Sequence, residues 1–429
     1  MFDKCCVSDI IFLELGFFRN ADLQVMHDRR LRMKDRLKIA FAHNNINHNT
    51  EGIMDGITEY IRAKGDWQLI MWPDNSIKSL QFLKKRGCKG AFVSTQTATK
   101  AKELLQIGIP VIALSAIQDM YNLPFISANS KQVSHMDAEY LLNKEFANFA
   151  FFGLTQAIWS RDRFEHFSAF LSKRGHKVEV FKEKQIPIIN DYTPFTRLWI
   201  NSTLGTGQEE LIKWLKDLPK PSAVMASCDI FACHLINVAK EANINIPDDI
   251  AILGVNNDNA VCNICEPPLS SIALNFKKAG YSAAKLLDKI ISGQETMHGQ
   301  CVEILPTHVE TRGSTDVYAI GDPDIVQAMK YIRQNSGRPL QVNEIANNVC
   351  MSKRSLQMRF HKAVGRSIHD EIVISHFENA KILLIETSLP IDEIANRSGF
   401  HYTSNMRRAF KKITGMLPQK YRQQHRSQS

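Results

Sequence analysis

From Leu37 to Val255, short apolar runs alternate with amphipathic stretches, and no other feature limits the fold of this chain as strongly. The runs are Leu37–His43, Trp67–Trp72, Ala91–Ser94, Val111–Leu114, Asn148–Leu154, Val178–Phe181, Ala223–Ser227 and Ile250–Val255. Helical spacing of apolar residues lies between them, at about Thr50–Ala63, Ser76–Arg86, Ala98–Ile107, Arg161–Lys173, Gln208–Leu218 and Ile230–Glu241. Strands this short and continuously apolar bury both faces, which requires a parallel sheet covered by helices on each side. The number of elements suits two doubly wound α/β lobes better than one sheet. Ligands of such sheets bind outside the carboxyl ends of the strands.

The alternation stops at Gly313–Pro323 (GSTDVYAIGDP), a short polar linker, and an all-helical segment follows. The domain boundaries are therefore 1–36, an extension of no assigned role that reads as a docked helix at Ile10–Phe18, a disordered tail, or a translational extension upstream of a start at Met33; 37–315, the α/β body; 316–323, the linker; and 324–425, an all-α domain. Charge divides at the same place. From Asp322 to Ser429 there are 17 Lys and Arg against 9 Asp and Glu, a net of +8, whereas the whole chain carries +9. A compact basic segment on a near-neutral body is the footprint of a polyanion reader, with double-stranded DNA the leading candidate.

Within that segment Val342, Ile345, Ala346 and Val349 share one helix face, Ser352 is an N-cap, and Leu356 and Phe360 point inward on a second helix. The pattern repeats with Ile391, Ile394 and Ala395, a turn at Gly399, and a helix over Thr403–Lys412 with Met406 and Phe410 inward. A small alanine in the first helix of each pair lets the second cross closely, as a helix-turn-helix requires. A longer helix, roughly Ile368–Ile385, separates the two units. Ile394-Ala395, Gly399-Phe400, Phe410-Lys411-Lys412, Gly415 and Pro418 through Arg422 resemble the AraC/XylS family of bacterial transcription regulators, a match covering about Asp324 to Arg422. The resemblance implies two recognition helices in successive major grooves. It implies base-reading roles for Arg354, Gln357, Met358, Thr403, Ser404, Asn405 and Arg408. Arginine suits guanine, and glutamine or asparagine suits adenine. Lys353, Arg359, Arg407, Lys411 and Lys412 are then phosphate contacts. The competing reading of each is a solvated helix face. Two positions depart from the family pattern: Cys350 stands where a turn glycine is usual, with strain if its φ is positive, and Met406 replaces an aromatic core residue.

The body carries a second resemblance. Asn245-Ile246-Pro247-Asp248-Asp249-Ile250, Ile252 through Asn257, Pro267 through Ile272 and Val309 through Thr315 resemble the periplasmic-binding-protein-like sensor of LacI-type repressors. This implies a small sugar between the lobes, a pentose such as xylose favoured, gripped by planar polar side chains and an aromatic ring. The residues placed to do so are Asn45, Asn49, Asn129, Trp159, Arg163, Asp229 and Asn256, with Arg163 and Asp229 at family ligand positions. Asn129 and Asn256 stand where relatives more often carry Asp, which changes the hydroxyl pattern preferred. The competing readings are asparagines that satisfy loop backbone and a packing role for Trp159.

No apolar run is long enough for a membrane span, and nine scattered cysteines suit a reduced, cytoplasmic protein. Cys262-x-x-Cys265 has redox or half-zinc spacing but lacks a second ligand pair. There is no HExxH, phosphate loop or nucleophile elbow, so the expectation is no enzyme, no cofactor and no metal. A ligand-responsive DNA-binding regulator, an activator of carbohydrate-utilisation genes acting as a homodimer with RNA polymerase, heads the functions that fit. The others are a DNA-binding regulator whose cleft is vestigial or protein-binding, and an enzyme or cysteine-based sensor fused to the reader.

Overall fold

The computed structural model describes residues 36–43, 47–95, 98–114, 122–154, 157–181, 207–317, 320 and 322–425; the helix expected at Ile10–Phe18 and the candidate Asn45 lie outside them. The first lobe is built from β1 (Leu37–Ala42), α1 (His48–Lys64), β2 (Trp67–Trp72), α2 (Ile77–Lys85), β3 (Cys88–Val93), α3 (Ala98–Leu105), β4 (Val111–Ala113) and β5 (Phe125–Ala128). The chain then crosses to a second lobe of α4 (Ser130–Asn143), β6 (Asn148–Phe152), α5 (Ile158–Ser172), β7 (Val178–Val180), α6 (Gly207–Asp217), β8 (Ser222–Ala226), α7 (Asp229–Glu241), β9 (Ile250–Asn256), α8 (Asn259–Ile264) and β10 (Ser270–Leu274). It returns through α9 (Phe276–Ile291) and β11 (Cys301–Ile304) and crosses once more into β12 (Pro306–Glu310).

The two sheets run β11-β5-β4-β3-β1-β2 and β12-β10-β9-β8-β6-β7, parallel except for the β10–β12 pair. Central strands are covered on both faces: Ile39 through Ala42 of β1 and all of β8 are buried. Helix α1 starts at a reciprocal capping box between Asn47 and Thr50 and stops at Gly65, whose φ of 79° closes the last turn. The glycines within the helix serve packing. A Cβ on Gly56 would lie 1.9 Å from the Lys277 carbonyl oxygen of α9, so only hydrogen allows the two helices to approach this closely.

Three chain segments join the lobes, and they are stitched together. The Asn129 amide donates to the Ile304 carbonyl at 3.0 Å and the Asn275 amide to the Leu305 carbonyl at 2.9 Å. The same two asparagines cap α4 and α9 through their side chains, accepting from Gln132 N and Lys278 N.

After a 3₁₀ turn at Gly313–Thr315 the reader begins at α10 (Pro323–Gln334), capped by Asp322 with proline in its first turn. It continues through α11 (Val342–Asn348), α12 (Lys353–Val364), α13 (Ile368–Glu386), α14 (Ile391–Arg397), α15 (Thr403–Thr414) and α16 (Pro418–His425). There are two small cores. Ile325, Met329, Ile332, Ile345, Ala346, Leu356 and Phe360 form the first with Ile368 and Ile372 from the start of α13. Ile394, Ala395, Phe400, Met406, Phe410 and Tyr421 form the second with Phe377, Ala380 and Leu384 from the remainder of α13. One helix therefore belongs to both cores.

Candidate nucleic-acid interface and sensor cleft

In the first helix-turn-helix the Met351 amide donates to Ala346 O and Ser352 caps α12 by accepting from Ser355 N at 3.2 Å. Burial of Leu356 and Phe360 fixes which side of α12 faces out. Lys353, Arg354, Gln357 and Met358 are exposed, Met358 at 67%. The second unit repeats the scheme: Phe400 N donates to Ala395 O, Met406 and Phe410 are fully buried, and Ser404, Asn405, Arg407, Arg408, Lys411 and Lys412 are exposed. Cys350 has a positive φ, 53°, the condition under which its side chain is strained, and Gly399 has 79°.

Two predicted contacts are engaged with other helices of the protein, and Lys411 Nζ donates locally to the Gly415 carbonyl at 3.1 Å. Arg359 sits against the capped start of α10, its guanidinium 2.8 Å from Asp322 Oδ2 and 2.9 Å from Asp324 Oδ2. It lowers the Asp322 carboxyl from its usual range by hydrogen bonding to it, so it braces α12 on α10 rather than standing free for a phosphate. Thr403, half-buried at the start of α15, donates from its hydroxyl to Asp392 Oδ1 at 2.7 Å.

The reader is docked on the second lobe. Arg333 of α10 pairs with Asp316 at 3.0 Å, Arg366 before α13 with Glu145 at 3.5 Å, and Glu386 at the end of α13 lies 3.5 Å from His308 Nε2 of β12. Tyr140 of α4 bonds the hydroxyls of Thr311 and Thr315 at the start of the connection. Beside them Lys144 is buried with its ammonium 5.7 Å from the Tyr140 ring, and desolvation lowers it to about 7.

The sensor candidates fare differently. The sequence-based reading placed Asp229 and Arg163 on a ligand; the structure turns both inward. Asp229 is 1% exposed at the head of α7. It accepts from the Ser271 hydroxyl through Oδ1 and from Asp258 N, at 2.7 Å, through Oδ2, and burial raises it to about 7. Its task is to hold the turn between β9 and α8. Arg163 donates to the Ser227 carbonyl, with the Trp159 ring 5.2 Å away on its other side and burial lowering it to about 10. Trp159 thus packs on Arg163. Asn129 is an N-cap that also donates to Glu303 Oε1 at 3.0 Å, the backbone-satisfying role. Asn49 is half-buried in the first turn of α1. Asn256 ends β9 with φ of 114°, followed by Asn257 at 54°, a pair of left-handed residues at the carboxyl edge of the sheet.

Sequence reading missed a polar cluster at the matching edge of the first lobe. Asn75 donates to Ser94 O at 2.7 Å and accepts from Lys100 Nζ at 2.6 Å, with burial lowering both Lys100 and nearby His43. A polar residue just past each of β1, β2 and β3 was the available signal. Among the described residues no group of His, Cys, Asp and Glu is arranged to hold a metal, and no helix is long and apolar enough to cross a membrane.

Two lobes with parallel sheets, a three-segment hinge and two basic helix-turn-helix units define a DNA-binding transcription regulator: an AraC-type reader carried by a periplasmic-binding-protein-like sensor. Residues 138–315 match the periplasmic binding protein-like domain family, and residues 345–424 match a helix-turn-helix domain family. The chain is similar to the xylose operon regulatory protein of Haemophilus influenzae, 28% identical over 90% of this chain and 98% of that protein. It is 25% identical to the Escherichia coli K12 protein of the same name, over 86% and 93%. Among solved structures it resembles a xylose-binding transcription activator, xylR, with a TM-score of 0.54 at 24% identity, covering 91% of this chain and 99% of that one. These relatives are transcription regulators, not enzymes.

Proposed function

We propose that the protein is a cytoplasmic, sugar-gated activator of carbohydrate-utilisation genes. A small sugar, a pentose such as xylose in the first instance, enters between the lobes and biases their closure. Two copies pair through their sensors, and four helix-turn-helix units engage tandem half-sites of a double-stranded operator, from which RNA polymerase is recruited. The observation that carries this reading is the placement of α13. The helix belongs to both reader cores, and the reader is docked on the second lobe, so lobe movement re-aims the reading helices as a unit. A few kcal/mol of differential sugar affinity between the two lobe arrangements is enough. The relatives' names supply the pentose.

In this reading Arg354, Gln357, Met358, Ser404, Asn405 and Arg408 face base edges, with Thr403 at the head of α15 held to α14. Lys353, Arg407, Lys411 and Lys412 face phosphates. A footprint on the protein's own upstream DNA tests it, in about 150 mM salt, with and without D-xylose. Protection of two adjacent major grooves that changes on adding sugar is expected, and no sequence preference under those conditions sinks the reading.

One observation favours a second reading, in which the DNA binding stands but the cleft no longer takes sugar: both oxygens of Asp229 and the side chain of Asn129 are engaged by the protein itself, and Arg163 donates from Nη1 to the Ser227 carbonyl. Thermal shift against pentoses and hexoses separates the two, because a ligand that binds only the folded state raises the melting temperature. No shift with any sugar, together with an intact footprint, selects the second reading.

A further inference from the structure

The two helix-turn-helix units touch each other directly as well as through α13. The first contributes the turn between α10 and α11, Ser336 to Arg338; the second contributes the turn after α14, Arg397 to Gly399. A Cβ on Gly399 would lie 2.7 Å from Arg338 O, and one on Gly337 would lie 3.4 Å from Arg397 O.

Beneath both turns runs the middle of α13, where His376 and Asn379, three residues apart, share a face. The His376 ring lies edge-on to Phe400, 5.5 Å between centroids. The Asn379 side-chain amide has two N–H groups to give. Its nitrogen donates to Ser336 O of the first unit at 3.3 Å and to Arg397 O of the second, also at 3.3 Å. Arg397 ends α14, and the last carbonyls of a helix have no intrahelical donor, so this amide supplies one from outside.

The first turn is tied to its own unit by a different group. The Arg338 guanidinium donates to Asn335 Oδ1 at 3.1 Å, to the Tyr331 hydroxyl at 3.2 Å and to Glu344 Oε2 at 3.1 Å, which joins α10 to α11. Its side chain therefore serves the first unit while its backbone carbonyl abuts the second.

We propose that Asn379, with the Ser336–Arg338 turn seated on Gly399, locks the two units into one rigid block and so fixes the half-site spacing accepted on DNA, a consequence that rests on the proposed engagement of both units with one duplex. Asn379 is a positioning residue. It is bonded inside the reader and acts on DNA through the bearing of α15 relative to α12. A helix joining two cores bends where nothing holds it. Here the seated turn is a second connection beside α13, and rotating one unit against the other parts the amide from one of its carbonyls. One base pair inserted between the half-sites carries the second about 3.4 Å along the duplex and about 35° around it. A locked reader cannot follow that displacement and loses the contacts of one unit.

The test uses the full-length protein, wild type and Asn379→Ala, with two duplexes. One is the protein's own upstream DNA as protected in the footprint; the other has one base pair inserted between the two protected grooves. Wild type should bind the altered duplex roughly a hundred-fold more weakly. Asn379→Ala should bind the unaltered duplex within roughly three-fold of wild type, and its penalty for the insertion should shrink to roughly ten-fold. A merely structural role would lower both affinities together and leave their ratio unchanged, and an unchanged ratio overturns the proposal. So does a wild-type penalty under roughly five-fold, no more than one mismatched position costs, which decides even if the variant fails to fold.

Hydrogen exchange in the DNA-free protein reads the lock without an operator. The Gly399 and Phe400 amides, bonded to Asn396 O and Ala395 O, should exchange roughly ten-fold faster in Asn379→Ala, while the Met351 amide of the first unit keeps its rate. Unchanged exchange at Gly399 and Phe400 overturns the lock and leaves the two-groove reading standing. Faster exchange with no protected grooves sinks that reading and leaves the lock.

Discussion

The two helix-turn-helix units repeat one design within one chain, and they part company at the turn. In the first, Cys350 takes the left-handed position at φ 53°, and the cap of the reading helix, Ser352, follows two residues on. In the second, Gly399 takes that position at 79°, and the residue preceding the reading helix, Tyr402, follows three residues on without a side-chain cap bond. There the Thr403–Asp392 bond ties α15 to α14 instead. The units also differ in what surrounds the turn. A Cβ on Gly399 would lie 2.5 Å from His376 Nε2 and 2.7 Å from Arg338 O, whereas Cys350 is exposed. Counting from the residue before each reading helix, Met358 occupies the place of Arg408, and Arg359, braced on α10, occupies that of the buried Ala409. The first unit thus tolerates backbone strain because its turn is open and its reading helix is braced from outside. The second needs glycine because its turn is packed from within.

Substitution at the two turns should bring out this contrast most sharply. Gly399→Ala combines a left-handed alanine with a clash against backbone, and is expected to destabilise the reader by roughly 3 kcal/mol; a chemical melt showing less than about 1 kcal/mol would mean the second turn is as open as the first. Arg408→Ala should cost about 1–3 kcal/mol in operator affinity and relax preference at one base pair. Met358→Ala, at the matching place, should change affinity far less. Gel shifts on permuted operators measure both, and equal losses would break the asymmetry between the units.

Acid should act on the second unit first. Burial lowers His376 to about 4, so its ring is neutral when folded and takes up a proton on unfolding. Its contribution is complete above about pH 6.5 and is lost as pH falls from there toward 4, on the order of 1–3 kcal/mol. His376→Gln should flatten that slope in melts followed across pH. In the other direction Cys350→Gly should stabilise the first unit by about 1 kcal/mol by removing a left-handed Cβ. The smallest effect belongs to Glu145→Ala: loss of its partly exposed pair with Arg366, 3.5 Å apart, should cost no more than about 1 kcal/mol. Its mark should instead be weaker coupling between sugar addition and DNA protection.

The reader was legible because helix period and capping decide it locally. Leu356, Phe360, Met406 and Phe410 were read as inward and are fully buried; Ser352 was read as a cap and caps. The brace at Arg359 was not legible, since Asp322 and Asp324 lie far off in sequence. In the sensor the alternation of strands and helices was readable where runs were apolar. It failed for β5, β10, β11 and β12, whose short, partly polar segments become strands only by pairing with neighbours. Helices α4 and α9 were also passed over. The surroundings of the candidate ligand residues were the least legible. Whether Asp229 faces a cleft or supports the next turn depends on Ser271 and Asp258, and spacing along the chain contains no trace of that.

Because α13 is a single helix with one end in each core, the bearing of the second unit relative to the first is a matter of helical phase. One residue inserted near its middle would advance the second unit by about 1.5 Å and swing it by about 100°, leaving every base-reading side chain intact within its own unit yet aimed at another face of the duplex. On the proposed reading, the length of that rod would be as much a part of operator choice as the arginines assigned to bases, a specificity determinant that itself makes no contact with DNA.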